Sequence, residues 1–410
     1  MSTLVKDIAQ AFRSLRKQPT FALTAVLTLA LGIGATSAIF SVVDAVLLRS
    51  LPYKDAGRLV HVAQDLRARN VEDFPIAPAD FYDMKNLSSP FEDIASVFTF
   101  QQTFVGDGAG REAEQLPVAV VSSSLFRVLG LPILHGRDFV EQDNAPVPPP
   151  PAAAGGAPEA AAPPPPVVTI LSHGYWQRRY NSDPSIIGTV QEFGAQRLEI
   201  VGVLAPGAEL LFPPGIAIER TPDLWYPDRT DLANGSRINV FLRVIGRLRP
   251  EVTLTQAQGE IDALAADLRQ QVAIKETADM HFRLAPMHED LVAEVQPILM
   301  ALMGAVAFVL LIACANVANL LLVRTAARER ELAIRTALGG SLARLIRQLL
   351  AESLVLSLTA SAVGLLLARL AIQGFRTLAP DNVPRLDTVA VDPTVVAFGV
   401  TLAVVSVAVF

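Results

Sequence analysis

A chain of 410 residues has room for two or three ordinary domains, but 51% of its residues are hydrophobic, only 18% are charged, and its mean hydropathy is +0.39. These values exclude a purely soluble protein and point to membrane insertion. The net charge of −6 averages over basic residues gathered in short segments, and in a membrane protein their placement carries the information.

The first apolar stretch is "FALTAVLTLALGIGATSAIFSVVDAVLL", residues 21–48, uncharged until Asp44; as a helix it would measure about 42 Å, enough to cross a bilayer with tilt. Residues 1–20 precede it with "KDIAQAFRSLRKQP", four basic residues and one acid, which puts the N-terminus on the cytoplasmic side. A cleavable signal peptide would have a shorter apolar core of about 7–15 residues. Ala30, Gly34 and Ala38 form a small-residue ridge suited to close helix packing.

Residues 49–297 contain no spanning segment and read as a large α+β domain outside the membrane. "VAVVSSSLFRVLG" and "VVTILSHGYWQRRY" each run a β-branched strand into a serine, Ser122 or Ser172, expected to cap a short helix. "LEIVGVL" and "NVFLRVIGRL" read as strands. Thr255 is expected to cap a helix whose Ala257, Ile261, Leu264, Leu268 and Val272 recur at helical spacing. Residues 145–166, "APVPPPPAAAGGAPEAAAPPPP", lack the large apolar side chains that offset ordering entropy and are expected to be a disordered insertion.

Further spans are expected at 298–323, 349–373 and 394–410, separated by a loop at 324–348 and another at 374–393. By parity the first loop is cytoplasmic and the second extracytoplasmic. The charges agree, with six arginines in 324–348 and a balanced second loop. The chain stops inside its fourth apolar run, which reads as the interrupted start of a longer protein. The fold class expected is therefore membrane α-helical, four spans with the fourth truncated, and a large α+β domain between spans 1 and 2.

Within the spans, Asn316 and Asn319 share a helix face and are expected to face other helices. Ser353, Ser357 and Ser361 make a second polar stripe, read as helix-helix hydrogen bonding rather than as a substrate path. Asp44, Glu352 and Arg369 lie near span ends, where they can snorkel, so mid-membrane carboxylates of a proton-coupled pump are missing. The single cysteine, Cys314, permits no intrachain disulfide. The histidines His61, His135, His173, His281 and His288 show no metal-ligand spacing, so no metal is expected. The sequence contains no G-x-x-x-x-G-K-[ST], G-x-S-x-G or H-E-x-x-H motif, and "GDGAG" at 106–110 reads as a turn. No catalytic residue or cofactor is expected; any energy source must come from a partner.

The loop "RTAARERELAIRTALGGSLARLIRQ" reads as two helical pieces divided at Gly339-Gly340, the second with Leu342, Leu345, Ile346 and Leu349 on one face. Pattern alone allows two readings: a docking surface, or a basic amphipathic helix on anionic lipid. Together with its flanks this segment resembles the loop between the second and third spans of FtsX-like and MacB-like ABC transporter permeases. "LRKQPTFALTAVLTLALGIGATSAIFSVVDAVLLRSLPY" is similar to the start of the large bacterial permeases with duplicated halves. "FEDIAS", "LFRVLGLPILHGRDF" and "VTILSHGYWQRRYNSDPSIIGTV" are similar to that group's extracytoplasmic core domain. The resemblance implies an N-terminal permease half in a bacterial inner membrane, performing no chemistry. It further implies a coupling helix in the loop, carried over to Arg328, Glu329, Arg330, Glu331, Ile334, Arg335, Ala337, Leu338 and Gly339; Gly340 departs from the alanine common in the family. The implied partners are a separate ABC ATPase that binds ATP, a second permease copy or an intrachain second half, a periplasmic adaptor and membrane lipid, with no nucleic acid. The implied function is mechanotransmission for efflux or export. A membrane-anchored sensor or scaffold, or an FtsX-type regulator of a cell-wall hydrolase, is the alternative.

Overall fold

The computed structural model describes residues 13, 16, 18–86, 90–104, 113–146, 165–193, 196–213, 215–327, 342–378 and 389–409. They fall into two compact units, one within Met1–Arg49 and Val292–Phe410 and the other Ser50–Leu291.

The first unit is helical. Helix α1 (Pro19–Val43) starts with proline in its first turn, where the missing N–H costs nothing, and runs into a π-helical turn at Asp44–Leu48. The other long helices of this unit are α8 (Gln296–Ala327), α9 (Leu342–Leu378) and α10 (Pro393–Val409). Among the described residues three segments are long and apolar enough to cross a membrane: Pro19–Leu48, Gln296–Ala326 and Leu349–Gly374; Pro393–Ala408 is a shorter apolar helix.

The second unit is built on a mixed sheet of eleven strands. In chain order these are β1 (Leu59–Leu66), β2 (Val71–Phe74), β3 (Phe91–Phe104), β4 (Glu114–Val121), β5 (Ile133–Gly136), β6 (Val167–Leu171), β7 (Val190–Phe193), β8 (Gln196–Leu204), β9 (Leu224–Pro227), β10 (Arg243–Leu248) and β11 (Met280–Pro286). The spatial order is β11-β1-β10-β3-β4-β9-β6-β8-β5, with β2 on β1 and β7 on β8. Pairings β4–β9 and β6–β8 are parallel; the others are antiparallel. The strands that begin and end this unit, β1 and β11, are neighbours, with His61 opposite Ala285 and Leu66 opposite Met280.

Short helices cover the sheet: α2 (Pro78–Asn86), α3 (Leu125–Leu129), α4 (His173–Tyr180), α5 (Leu254–Gln271), α6 (Ala273–Thr277) and α7 (Met287–Val292). Two of the resulting hydrophobic clusters lie among the described residues. One joins Val60, Val244 and Phe282 to Phe81 of α2 and Ala257, Ile261, Ala265 and Leu268 of α5. The other joins Val118, Ile200, Val203 and Leu224 to Tyr175 and Trp176 of α4.

Ser172 caps α4 as expected, accepting the N–H of Tyr175 at 3.1 Å. Two other cap assignments change. Thr253, not Thr255, caps α5, in a reciprocal box with Gln256. Both threonines stand three residues before a glutamine, but Gln258 is taken by the sheet edge: it accepts the N–H of Leu284 at 2.8 Å and donates to the carbonyl of Phe282 at 2.8 Å. Ser122 does not cap α3. Its hydroxyl oxygen accepts the N–H of Ser96 at 3.0 Å, while Ser124 donates to Ile94 O at 2.7 Å, so both serines fasten α3 to β3. The greater part of the proline-alanine insertion and the GDGAG turn lie outside the described residues.

Candidate functional site

The helical unit is held by close backbone approach together with a hydrophobic cluster in which Leu29 and Ile33 of α1 join Leu310 and Val317 of α8 and Leu356 of α9. A Cβ placed on Gly34 of α1 would lie 2.7 Å from Gly364 O of α9, and one on Gly364 would lie 2.8 Å from Ala30 O. Only glycine at both positions lets the two backbones meet this closely. Gly32 is the corresponding approach to α8, where a Cβ would meet Leu310 Cδ1 at 3.1 Å and Ala313 Cβ at 3.3 Å. Ala30 is fully buried, and Ala38 packs partly buried beside Ala45, Ile372 and Val389.

Hydroxyl groups satisfy backbone carbonyls across the helices. Ser357 donates to Ala403 O at 2.7 Å and Ser361 to Gly399 O at 3.1 Å, joining α9 to α10. Ser41 donates to Ala390 O at 2.9 Å. Phe40 and Phe398 stack with centroids 3.9 Å apart. Cys314 is buried, its thiol 3.5 Å from the Ser406 hydroxyl. Asn316 and Asn319, by contrast, are exposed in the single chain. They sit on the side of α8 away from Leu310, Ala313, Cys314 and Val317, the buried residues through which this helix packs. Packing inside the chain is thus carried by the small and apolar arc, and not by the two asparagines.

Charges mark both ends of the bundle, and Asp44 and Glu352, for which the sequence allowed free snorkelling, are paired, while Arg369 is exposed. At one end Asp44, in the π-helical turn, accepts from Arg49 at 2.8 Å, and Arg49 also pairs with Asp392 just before α10. At the other end Arg324 of α8 and Glu352 of α9 are only 8% and 6% exposed, and they meet at 3.3 Å. The Arg324 guanidinium also lies 4.8 Å from the ring centroid of Phe21 at the start of α1. The loop residues Arg328, Glu329, Arg330, Glu331, Ile334, Arg335, Ala337, Leu338 and Gly339 lie outside the described residues.

The sheet unit carries its own charged knot where β1, β2, β11 and α7 converge. His61 Nδ1 is 2.8 Å from Asp290 Oδ2, and Arg283 pairs with Asp290 at 3.1 Å, with Asp65 at 3.4 Å and with Asp73. Burial pushes the Asp290 carboxyl up, but hydrogen bonds and charge from His61 and Arg283 outweigh it and hold the group below the ordinary aspartate value. His61, Asp73 and Asp290 could by spacing hold a cation, with ligand atoms within 4.8 Å. Arg283 already supplies the positive charge there, so the arrangement is an ion-pair knot. A second knot buries Asp80 of α2 against Lys275 of α6 and Arg237. Neither was legible in the sequence, because their members come from segments up to 229 residues apart.

Among the described residues nothing resembles a nucleophile with its base. The described parts are one sheet unit whose first and last strands are neighbours, and a glycine-packed bundle with ion pairs at its ends. The family models agree with this plan. Residues 22–264 match the MacB-like periplasmic core domain, and residues 303–410 match the FtsX-like permease C-terminal domain. The chain belongs to the FtsX/MacB-like ABC permeases. The macrolide export ATP-binding/permease protein MacB of Azoarcus sp. (strain BH72) is 28% identical over 170 residues, 40% of this chain and 24% of that protein. The match therefore spans about a quarter of that relative's length. Among solved structures, the periplasmic region of MacB from Actinobacillus actinomycetemcomitans is 12% identical, covering 59% of this chain and 94% of that one with a TM-score of 0.38. The extracellular domain of the noncanonic ABC-type transporter YknZ from Gram-positive bacteria is 14% identical, covering 55% of this chain and 99% of that one with a TM-score of 0.35. As a member of this permease family the chain is a multi-pass membrane protein.

Proposed function

We propose that this chain is the transmembrane permease part of an ABC system that works by mechanotransmission. A separate ATPase binds the cytoplasmic loop at 324–348, closes on ATP, and displaces the bundle; the sheet domain, on the opposite side of the membrane, moves in response. The permease itself performs no chemistry. The observation that carries this reading is the order of parts: a core-domain match at 22–264, which takes in the first span, followed by a permease match at 303–410 that contains the arginine-rich segment. The N-terminus is cytoplasmic in this reading, from the basic residues that precede the first span. The 410 residues contain no phosphate-binding loop, and in this reading the nucleotide is held by an ATPase outside them. A second copy or second permease half would cover the exposed side of α8, where Asn316 and Asn319 would otherwise face lipid. Efflux or export of an envelope substrate is the consequence of this arrangement.

Copurification tests it. Tagged chain extracted in mild detergent should retain an untagged ABC ATPase from its native cells and stimulate its hydrolysis. Extraction that retains sheet-domain ligands but no ATPase would favour a membrane-anchored sensor or scaffold. Retention of a cell-wall hydrolase would favour regulation of that enzyme. Orientation is tested with single cysteines in a Cys314→Ser background: Asn234→Cys should react with an impermeant thiol reagent in intact spheroplasts, and Ser341→Cys only after lysis.

A further inference from the structure

The pair Arg324–Glu352 is costly where it stands. Two charges almost wholly removed from solvent lose hydration that a single contact hardly repays, and apolar side chains of the same size would pack there as well. Orientation does not depend on it either, since five further arginines follow within 324–348. A buried ionisable pair within a membrane bundle points to a role in function.

Its place in the chain indicates which role. Arg324 lies three residues before the end of α8, ahead of residues 328–341, and Glu352 is the eleventh residue of α9, the helix that follows them. The ion pair at 3.3 Å therefore joins the two stems of one loop. Phe21, 4.8 Å from the same guanidinium, belongs to the first turn of α1. Three helices thus share one cation: through its carboxylate partner, through its own backbone, and through an aromatic face. Farther along, α1 is seated on α9 at Gly34–Gly364, where backbone meets backbone. A helix held at both places cannot lag behind the other.

We propose that Arg324, Glu352 and Phe21 form a latch that binds spans 1, 2 and 3 together at the base of the loop, so that a displacement of the loop is delivered to span 1 instead of separating spans 2 and 3. The latch deepens the mechanotransmission reading and rests on it. Arg324 and Glu352 are positioning residues: they transmit the movement and touch neither nucleotide nor substrate. Without the pair, the loop would still bind its ATPase, but its two stems would move apart independently of α1.

The test uses the full chain in lipid nanodiscs with the ATPase it retains, in a Cys314→Ser background. One spin-label pair, at Thr20 and Leu349, reads the latch; a second, at Leu48 and Ile298, reads the outer ends of spans 1 and 2. Glu352→Gln and Arg324→Lys are compared with the exchange Arg324→Glu plus Glu352→Arg. The latch predicts that Glu352→Gln retains the ATPase as wild type does, broadens the Thr20–Leu349 distance distribution, and loses at least about half of the shift that a non-hydrolysable ATP analogue produces at Leu48–Ile298. The exchange, which restores the pair with its sense reversed, should recover most of both losses, as coupled partners do in a double-mutant cycle. Arg324→Lys, which keeps the charge, should fall between. An undiminished shift in Glu352→Gln, or an exchange no better than the single change, would overturn the latch. If wild type retains no ATPase, the permease reading fails separately. The latch is then decided by the Thr20–Leu349 distribution alone, which must broaden in Glu352→Gln and narrow again in the exchange for the junction to stand.

Discussion

The two units are stabilised by different physics, although one chain makes both. The sheet unit buries large side chains such as Trp225, Phe81, Phe126 and Phe282 almost completely, so removal of apolar surface from water dominates there. The helical unit instead leaves Leu31, Phe308, Ile312 and Val323 exposed, as spans surrounded by lipid do. Within the bilayer no hydrophobic drive presses helix on helix, so glycine approach and hydroxyl-to-carbonyl bonds take over. Small residues in the bundle therefore matter as large ones do in the sheet.

The chain carries natural reporters for separating the two. Its only tryptophans, Trp176 and Trp225, lie in the sheet unit, and its only cysteine, Cys314, lies buried in the bundle. The largest effect is expected from Gly34→Leu, whose side chain would drive α1 from α9. Cys314 should become reactive to a thiol dye at temperatures where tryptophan fluorescence is still native. Unchanged Cys314 protection would show that the backbone approach is not what holds the bundle. Phe282→Ala is the counterpart in the sheet unit. It should cost about 3–5 kcal/mol, read as a lowered tryptophan melting midpoint with Cys314 still protected at low temperature.

A smaller effect separates the units by pH. A carboxyl whose folded value is depressed contributes stability above its unfolded value and loses it as pH falls through the folded one. Asp290 is such a group. Asp290→Asn should lower the tryptophan midpoint at neutral pH, and the curves of variant and wild type should converge as pH drops below the ordinary aspartate range. Parallel curves would remove Asp290 from the account. Smaller still is Ser361→Ala, which deletes one bond to Gly399 O; about 0.6 kcal/mol is expected, measured as a modest rise in the rate of Cys314 labelling.

How much of this the sequence disclosed follows from the range of the interactions. Apolar length is a local property, so the spans were legible, as was the cap at Ser172, which lies three residues from its partner. The cap at Thr253 was missed because the segment offers two equivalent threonine-glutamine pairs, and only the distant strand β11 decides between them by claiming Gln258. The parallel pairing of β4 with β9 joins Val118 to Leu224, beyond any local signal. In the bundle, charges at span ends suggested snorkelling, but Asp44 and Glu352 are buried and paired. Nothing in Glu352's own neighbourhood names Arg324 as its partner. Asn316 and Asn319 were expected to pack because polarity in a span is costly; which side of α8 faces the chain's other helices depends on all four helices together.

The central claim is that the loop at 324–348 receives force from an ATPase. Exchanging Glu331→Arg with Arg335→Glu leaves the count of basic residues unchanged, so insertion and expression should be normal. If the loop docks on complementary charge, ATPase binding and stimulation measured on purified complex should fall by at least about tenfold, since close interfacial charge pairs carry a few kcal/mol. Binding that survives this exchange together with Ala337→Asp would contradict the account.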